Sequence, residues 1–277
     1  MNVMITGAAG GLGRTFANEC ARRGYNLFLT DINEEGLLCL KRGLERQFDV
    51  VVTKAACDLT DAENVDRMLD MIDKYEIRFD MLLNIAGLDY EGGFMERDRE
   101  KLVKIVSLNN AATLRITHAV FKRRRTCRPF TIVFVSSLAS MFPMPLKATY
   151  AATKRFLLDF AVSLRHELKN ENVNILTLCP GGMVTTNETM CSIRAQGFWG
   201  NVTTNPLEFV ARKTIDHALT GKNIYVPGKL NQVLSFLSKI IPRSWAAALI
   251  YMRWHHVQSK WMKNNSANTA ELQQDAT

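Results

Sequence analysis

A short apolar run, Val3–Thr6, passes directly into Thr6-Gly-Ala-Ala-Gly-Gly-Leu-Gly13 and then into an amphipathic stretch. A strand that turns into a helix through glycines leaves few folds open. Gly7, Gly11 and Gly13 permit a tight turn and close approach of another group to the main chain, and the N–H groups opening the helix attract a pyrophosphate. The alternation continues along the chain. Strand candidates are Val3–Thr6, Asn26–Asp31, Val50–Ala56, Met81–Ile85, Thr131–Ser136, Asn174–Leu178 and Asn223–Val226, with helical periodicity between them. That order predicts an α/β fold: one doubly wound parallel sheet with helices on both faces. A length of 277 residues suits one such domain. Gly24 is placed to end the first helix as its C′ residue.

The glycine spacing is Gly-x-x-x-Gly-x-Gly, not the Gly-x-Gly-x-x-Gly of the general dinucleotide fingerprint. Nor is it a nucleotide triphosphatase loop, because Arg14 stands where that loop needs a lysine. Asp31 ends the second strand. A carboxylate there accepts hydrogen bonds from ribose hydroxyls and repels a 2′-phosphate, which favours NAD over NADP. Arg14 and Arg22 act against that preference, and Asp31 also suits the start of the next helix.

Tyr150-Ala-Ala-Thr-Lys154 places a phenol and an ammonium at i and i+4, on one helix face. A nearby cation favours phenolate and eases proton exchange. Alone the pair is weak, since a solvated lysine beside a half-buried tyrosine is common. Thirteen residues before Tyr150 lies Ser137, at the end of Thr131-Ile-Val-Phe-Val-Ser-Ser137.

The glycine loop, Ser137 and Tyr150-x-x-x-Lys154, in this order, resemble the short-chain dehydrogenase/reductase family. The resemblance covers residues 3 to about 186. It implies a Rossmann-type domain with a C-terminal helical extension for substrate, and hydride transfer between a nicotinamide and a carbonyl or alcohol. Tyr150 is then the acid/base, Lys154 its partner and a hold on the nicotinamide ribose, and Ser137 the donor to the substrate oxygen, with Ser136 its neighbour. Asn109, in Ser107-Leu-Asn-Asn-Ala-Ala-Thr113, takes the family's proton-relay position, with Asn110 beside it. Cofactor contacts carried over are Gly7, Gly11, Leu12, Gly13, Asp31, Asp58, Leu59, Asn84, Ala86, Gly87, Tyr150, Lys154, Pro180, Gly181, Met183 and Thr185. Asn84-Ile-Ala-Gly87 departs from the family's Asn-Asn-Ala-Gly, since Ile85 replaces the second asparagine.

Residues 187–263 then carry specificity. Gly197-Phe-Trp-Gly200 suits a hinged lid. Leu138, Met141, Phe142, Pro143 and Met144, between Ser137 and Tyr150, suit an apolar pocket wall or the core. The expected reaction is NAD(H)-dependent interconversion of a secondary alcohol and a ketone on a hydrophobic small molecule: a hydroxysteroid, a bile acid or an acyl chain. The rivals are an NADP(H) carbonyl reductase and a non-catalytic dinucleotide sensor on the same fold. The resemblance also implies a homodimer or homotetramer built through helices at 98–125 and 149–170.

Six cysteines show no Cys-x-x-Cys and no metal-ligand spacing with histidine, so no metal is expected and a reducing, cytoplasmic setting is. The first strand runs straight into the glycine loop, so no removable leader is expected. The formal charge is +8, concentrated in Lys122-Arg-Arg-Arg125 with Arg128 and in the stretch after His217, which holds seven Lys/Arg and no Asp or Glu up to Ala270. A solvated surface, not nucleic-acid binding, is expected for the first cluster. Leu230, Val233, Leu234, Leu237, Ile240 and Ile241 are helically spaced, and Trp245, Tyr251, Trp254 and Trp261 follow among basic residues. Segment 229–263 therefore suits peripheral contact with an anionic membrane, a pocket lid or a subunit contact. Residues 1–263 are expected as one domain, with 264–277 a polar tail.

Overall fold

In the computed structural model, residues 1–89, 91–185 and 202–252 are described. The lid candidate at 197–200, Trp254, Trp261 and the tail from 264 lie outside them. Seven parallel strands form one sheet: β1 (Asn2–Thr6), β2 (Asn26–Asp31), β3 (Val52–Ala56), β4 (Met81–Asn84), β5 (Phe130–Val135), β6 (Val173–Leu178) and β7 (Ile224–Tyr225). Their spatial order is β3-β2-β1-β4-β5-β6-β7. β1 pairs with both β2 and β4, so the winding reverses beside β1, and ligands of such sheets sit in the crevice at that point.

Every predicted strand is present, displaced by at most two residues at its ends. The reason shows in β5, Phe-Thr-Ile-Val-Phe-Val, buried along its whole length. Strands covered on both faces read as continuous apolar runs. Alternate residues feed two cores, one on each face. Val3, Ile5, Leu27, Leu29, Val133 and Val135 enter the first. Met4, Phe28, Leu82, Ile132 and Phe134 enter the second.

Helices α1 (Gly11–Arg22), α2 (Glu34–Gln47) and α3 (Ala62–Lys74) connect the first strands. Gly24 adopts φ +74° just past α1, and its N–H bonds the carbonyl of Ala21, as a C′ glycine should. The expected long helix at 98–125 is broken into α4 (Arg99–Val106), a π-helical segment (Ser107–Ala112) and α5 (Thr113–Phe121). After β5 come a 3₁₀ turn (Leu138–Met141) and α6 (Ala148–Glu167), and α7 (Leu207–Leu219) and α8 (Lys229–Leu237) flank β7. Residues 243–252 are helical.

The basic cluster is absorbed by acids from other elements. Arg123 pairs with Asp73, Arg124 with Glu171 at 2.7 Å, and Arg125 and Arg128 with the fully buried Asp80 at 3.4 and 3.5 Å. Asp80 also accepts the main-chain N–H of Asn2 at 2.7 Å, so these arginines lock β1 to the loop before β5.

Candidate active site

The carboxyl ends of β1, β2, β4, β5 and β6 bring the predicted residues into one crevice. Gly7 sits at φ +67°, and a Cβ there would lie 2.7 Å from Cα of Ala86. A Cβ on Gly13 would lie 2.0 Å from the Gly7 carbonyl oxygen. Glycine is thus required at both positions by main chain that cannot move aside. A Cβ on Gly11 would meet the main-chain oxygen of Thr185 at 2.6 Å, which sets the 180–185 segment directly against the loop. Leu12 is buried beneath it. The start of α1 has no side-chain cap and no acid in its first turn, so its field is left open to an anion.

Asp31 reaches the loop. Its Oδ2 accepts the N–H of Ala9 at 3.0 Å and its Oδ1 that of Asn33 at 3.0 Å. It braces the glycine turn and the entry to α2 together. Arg14 donates Nε to the Ala9 carbonyl at 2.7 Å. Arg22 is at the far end of α1, paired with Glu19 at 2.9 Å, and does not oppose Asp31. Asp58 accepts the N–H of Thr60 at 2.9 Å and its hydroxyl at 2.6 Å, and these bonds hold its carboxyl below the usual range. Leu59 is buried beside it. Asn84 points inward and donates to the Thr117 hydroxyl at 3.0 Å. Its amide therefore ties β4 to α5, while Ala86 packs against Gly7, and Gly87 lies beside Asn109 and Lys154. Thr6 Oγ accepts the N–H groups of Ile85 and Ala86 at 3.1 and 3.2 Å, so the missing second asparagine leaves β1 and the β4 end connected.

The π segment explains the paired asparagines. Both are buried, Asn110 included, so surface tolerance does not account for it. Asn109 grips Leu88 twice, accepting its N–H at 2.8 Å and donating to its carbonyl at 3.0 Å, and also donates to the Thr153 hydroxyl at 3.0 Å. Asn110 donates to the Thr153 carbonyl at 3.0 Å. One extra residue in the turn aims both amides at α6, a common use of π-bulges.

On α6, Tyr150 and Lys154 share a face, with the Lys154 ammonium 5.7 Å from the Tyr150 ring centre. Lys154 is 5% exposed and donates to the Val135 carbonyl at 2.9 Å. A Cβ on Gly87 would lie 3.1 Å from Asn109 Oδ1 and 3.2 Å from Lys154 Nζ, so these groups converge where glycine leaves room. Ser137 lies close enough to the Tyr150 hydroxyl to favour its charged form. Ser136 faces away, donating to the Lys154 carbonyl at 2.7 Å.

Burial pushes the Lys154 ammonium down to about 8, against the pull of Asp89. The Tyr150 phenol runs opposite to the simple expectation: burial and Asp89 raise it, and only Ser137 lowers it. Cys179, behind Lys154, is buried and pushed up to about 12, so it stays a thiol.

Two residues at the site carry no motif. Lys147 also lies 5.7 Å from the Tyr150 ring centre and pairs with Asp89 at 2.9 Å and Glu91 at 3.4 Å. Gly92 N–H bonds the Leu146 carbonyl at 2.7 Å, strapping the post-β4 loop to the entry of α6. An ammonium three residues before the tyrosine was the available signal. Leu138, Met141, Phe142, Pro143 and Met144 are half-buried and join neither core. Pro180, Gly181 and Met183 follow β6; a Cβ on Gly181 would strike the Thr203 oxygen at 2.3 Å and the Asn231 amide at 2.7 Å, and Met183 packs on the first core.

Residues 1–194 match the short chain dehydrogenase family. A very-long-chain 3-oxoacyl-CoA reductase of Vanderwaltozyma polyspora is 32% identical over 219 residues, 75% of this chain and 61% of that protein, so the chain spans under two thirds of this relative's length. A protein of the same description from Neurospora crassa is 30% identical over 268 residues, 95% of this chain and 72% of its own. The solved L-sorbose reductase of Gluconobacter frateurii superposes with a TM-score of 0.73 at 21% identity, covering 82% of this chain and 94% of that one. By the family match and the similarity to these relatives, the chain belongs to the short-chain dehydrogenase family of oxidoreductases.

Proposed function

We propose that this chain reduces a ketone on an apolar acyl chain to a secondary alcohol, and runs the reverse oxidation, with NAD(H) as cofactor. The convergence of Ser137, Tyr150, Lys154 and Asn109 under the carboxyl ends of β4 and β5 carries this reading, because a sensor needs no buried proton donor beside a buried ammonium. The very-long-chain acyl relatives and the half-buried apolar wall at 138–144 support an acyl substrate over a sugar.

The bound dinucleotide would supply the hydride. Main chain at Gly7, Gly11, Leu12 and Gly13 would cradle its pyrophosphate at the start of α1. Asp31 would take the adenosine ribose, Asp58 and Leu59 the adenine, and Ala86, Gly87, Lys154, Pro180, Gly181, Met183 and Thr185 the nicotinamide half. Ser137 donates to the substrate oxygen and stabilises charge there. Tyr150 gives that oxygen its proton; a phenol held firmly in its protonated state suits the reductive direction. Lys154 stays largely an ammonium near neutrality and keeps a positive field beneath Tyr150. Asn109 is a positioning residue that fixes Leu88 and Thr153 around the lysine.

Tyr150→Phe is expected to abolish NADH oxidation driven by a long-chain 3-oxoacyl thioester while leaving NADH binding by fluorescence nearly intact. Retained turnover defeats the mechanism. Asp31→Ala is expected to raise the affinity for NADPH relative to NADH; a wild type that already binds NADPH better overturns the cofactor assignment.

A further inference from the structure

Helix α8 half-buries Leu230 and Leu234 but turns an apolar stripe to solvent. Its one buried side chain is polar: Asn231 is 1% exposed and donates to the carbonyls of Thr203 at 3.0 Å and Pro227 at 2.8 Å. Its outward stripe is apolar, Val233, Phe236 and Leu237, continued by Ile240, at the i, i+3, i+4, i+7 spacing of one helix face. Past Pro242 the pattern repeats. Ala246 is buried, while Trp245, Leu249 and Met252 face out at i, i+4, i+7. Phe236 is 63% and Trp245 69% exposed. Exposed apolar helix stripes of this kind mark a contact with something else. The charged side chains on and just beyond α8 are all of one sign: Lys229, Lys239 and Arg243 are exposed, and no Asp or Glu occurs from 218 to 252.

We propose that α8 and residues 243–252 dock the protein on an anionic phospholipid surface, with the apolar stripe in the headgroup–acyl boundary and the cations on lipid phosphates. Apolar burial plus attraction to anionic lipid is the combination that holds interfacial helices. Among the described residues no helix is long and apolar enough to cross a membrane, so the contact lies in the interface plane. A second copy fits this face less well. A two-fold contact sets a surface against itself, and here that would bring cation to cation with no carboxylate in the segment to offset it. α8 also packs on the Leu138–Met141 turn that follows Ser137, so docking holds the candidate active site close to the bilayer.

The test is co-sedimentation of the whole chain with phosphatidylcholine vesicles, with and without phosphatidylserine, alongside sedimentation velocity without lipid. Binding is expected to need the anionic lipid and to weaken with salt. Lys239→Gln and Arg243→Gln should each lower the partition coefficient about fivefold. Phe236→Ser with Trp245→Ser should lower it at least about tenfold, with an unchanged unfolding midpoint because both side chains are already exposed. No pelleting with either vesicle, equal pelleting with both, or variants that partition like wild type would overturn the proposal. So would a dimer that Phe236→Ser dissociates, which assigns the face to a second copy. None of these outcomes bears on turnover with a soluble substrate, so the proposal and the reductase reading fail separately.

Discussion

Lys154 is an ammonium stored in the interior, and removing it should make the protein more stable. Burial is the main influence on it and brings it from the ordinary 10.5 to about 8, with Asp89 opposing. Below pH 8 both the folded and the unfolded chain carry this proton, so the cost of the buried charge is present in full. From about 8 to 10.5 the folded chain releases the proton first, the unfolded chain binds more, and folding gains stability as pH rises. Those two and a half pH units, at about 1.4 kcal/mol each, amount to about 3 kcal/mol. In Lys154→Met the Val135 carbonyl loses the 2.9 Å bond from Nζ, a loss of about 1 kcal/mol. The variant should therefore exceed wild type by about 2 kcal/mol near pH 7, and the gap should close at about 1.4 kcal/mol per pH unit above 8. Urea denaturation of both proteins from about pH 7 to about pH 10 measures it. Only the difference between them is informative. Burial raises Cys20, Cys57 and Tyr150, which pull stability down at high pH, but they do so in both proteins. A gap that does not vary with pH, or a variant less stable at neutrality, refutes the claim that this lysine is held against its own solvation. On the proposed function the stabler variant is inactive, the usual exchange between stability and a strained site.

Two further perturbations test the surroundings. Gly13→Ala drives a Cβ to 2.0 Å from the Gly7 oxygen and 2.8 Å from Ala8 Cα, both main chain; a loss of about 1–3 kcal/mol in urea and of NADH binding by fluorescence is expected, and an unchanged dissociation constant contradicts the cradle. Asp89→Asn removes the carboxylate that raises Tyr150, so the phenol gives up its proton more easily and the alkaline limb of the reductive pH–rate profile should move to lower pH; an unmoved limb separates Asp89 from the proton donor.

Much of this architecture can be read from the chain because a strand covered on both faces must be apolar throughout. Phe130–Val135 says so without ambiguity, and the same holds for the glycines, which main-chain crowding at Gly7 and Gly13 makes irreplaceable. What cannot be read there depends on pairings between distant segments. Asp89 and Lys147 are 58 positions apart and meet through the strap between Gly92 and Leu146. The arginines of 123–128 look like a free cationic patch until Asp73, Asp80 and Glu171 arrive from elsewhere. The π turn has no periodicity of its own; Asn109 and Asn110 hint at it only because two adjacent amides are poor choices for a plain helix.

Helix α8 shows the sharper limit. Apolar periodicity states that a helix has an apolar face and is silent on where that face points. The direction is fixed by Asn231 together with the half-buried Leu230 and Leu234: the Asn231 Nδ2 finds two carbonyl acceptors beneath it, one on the chain before α7 and one at the turn after β7. A buried amide with partners outweighs an aliphatic side chain that would leave those carbonyls without a donor. Once Asn231 is fixed inward, Val233, Phe236 and Leu237 are turned outward by helix geometry alone, and the cationic, carboxylate-free surface follows from the same rotation. The outward apolar face thus follows from helix geometry around one hydrogen-bonded asparagine.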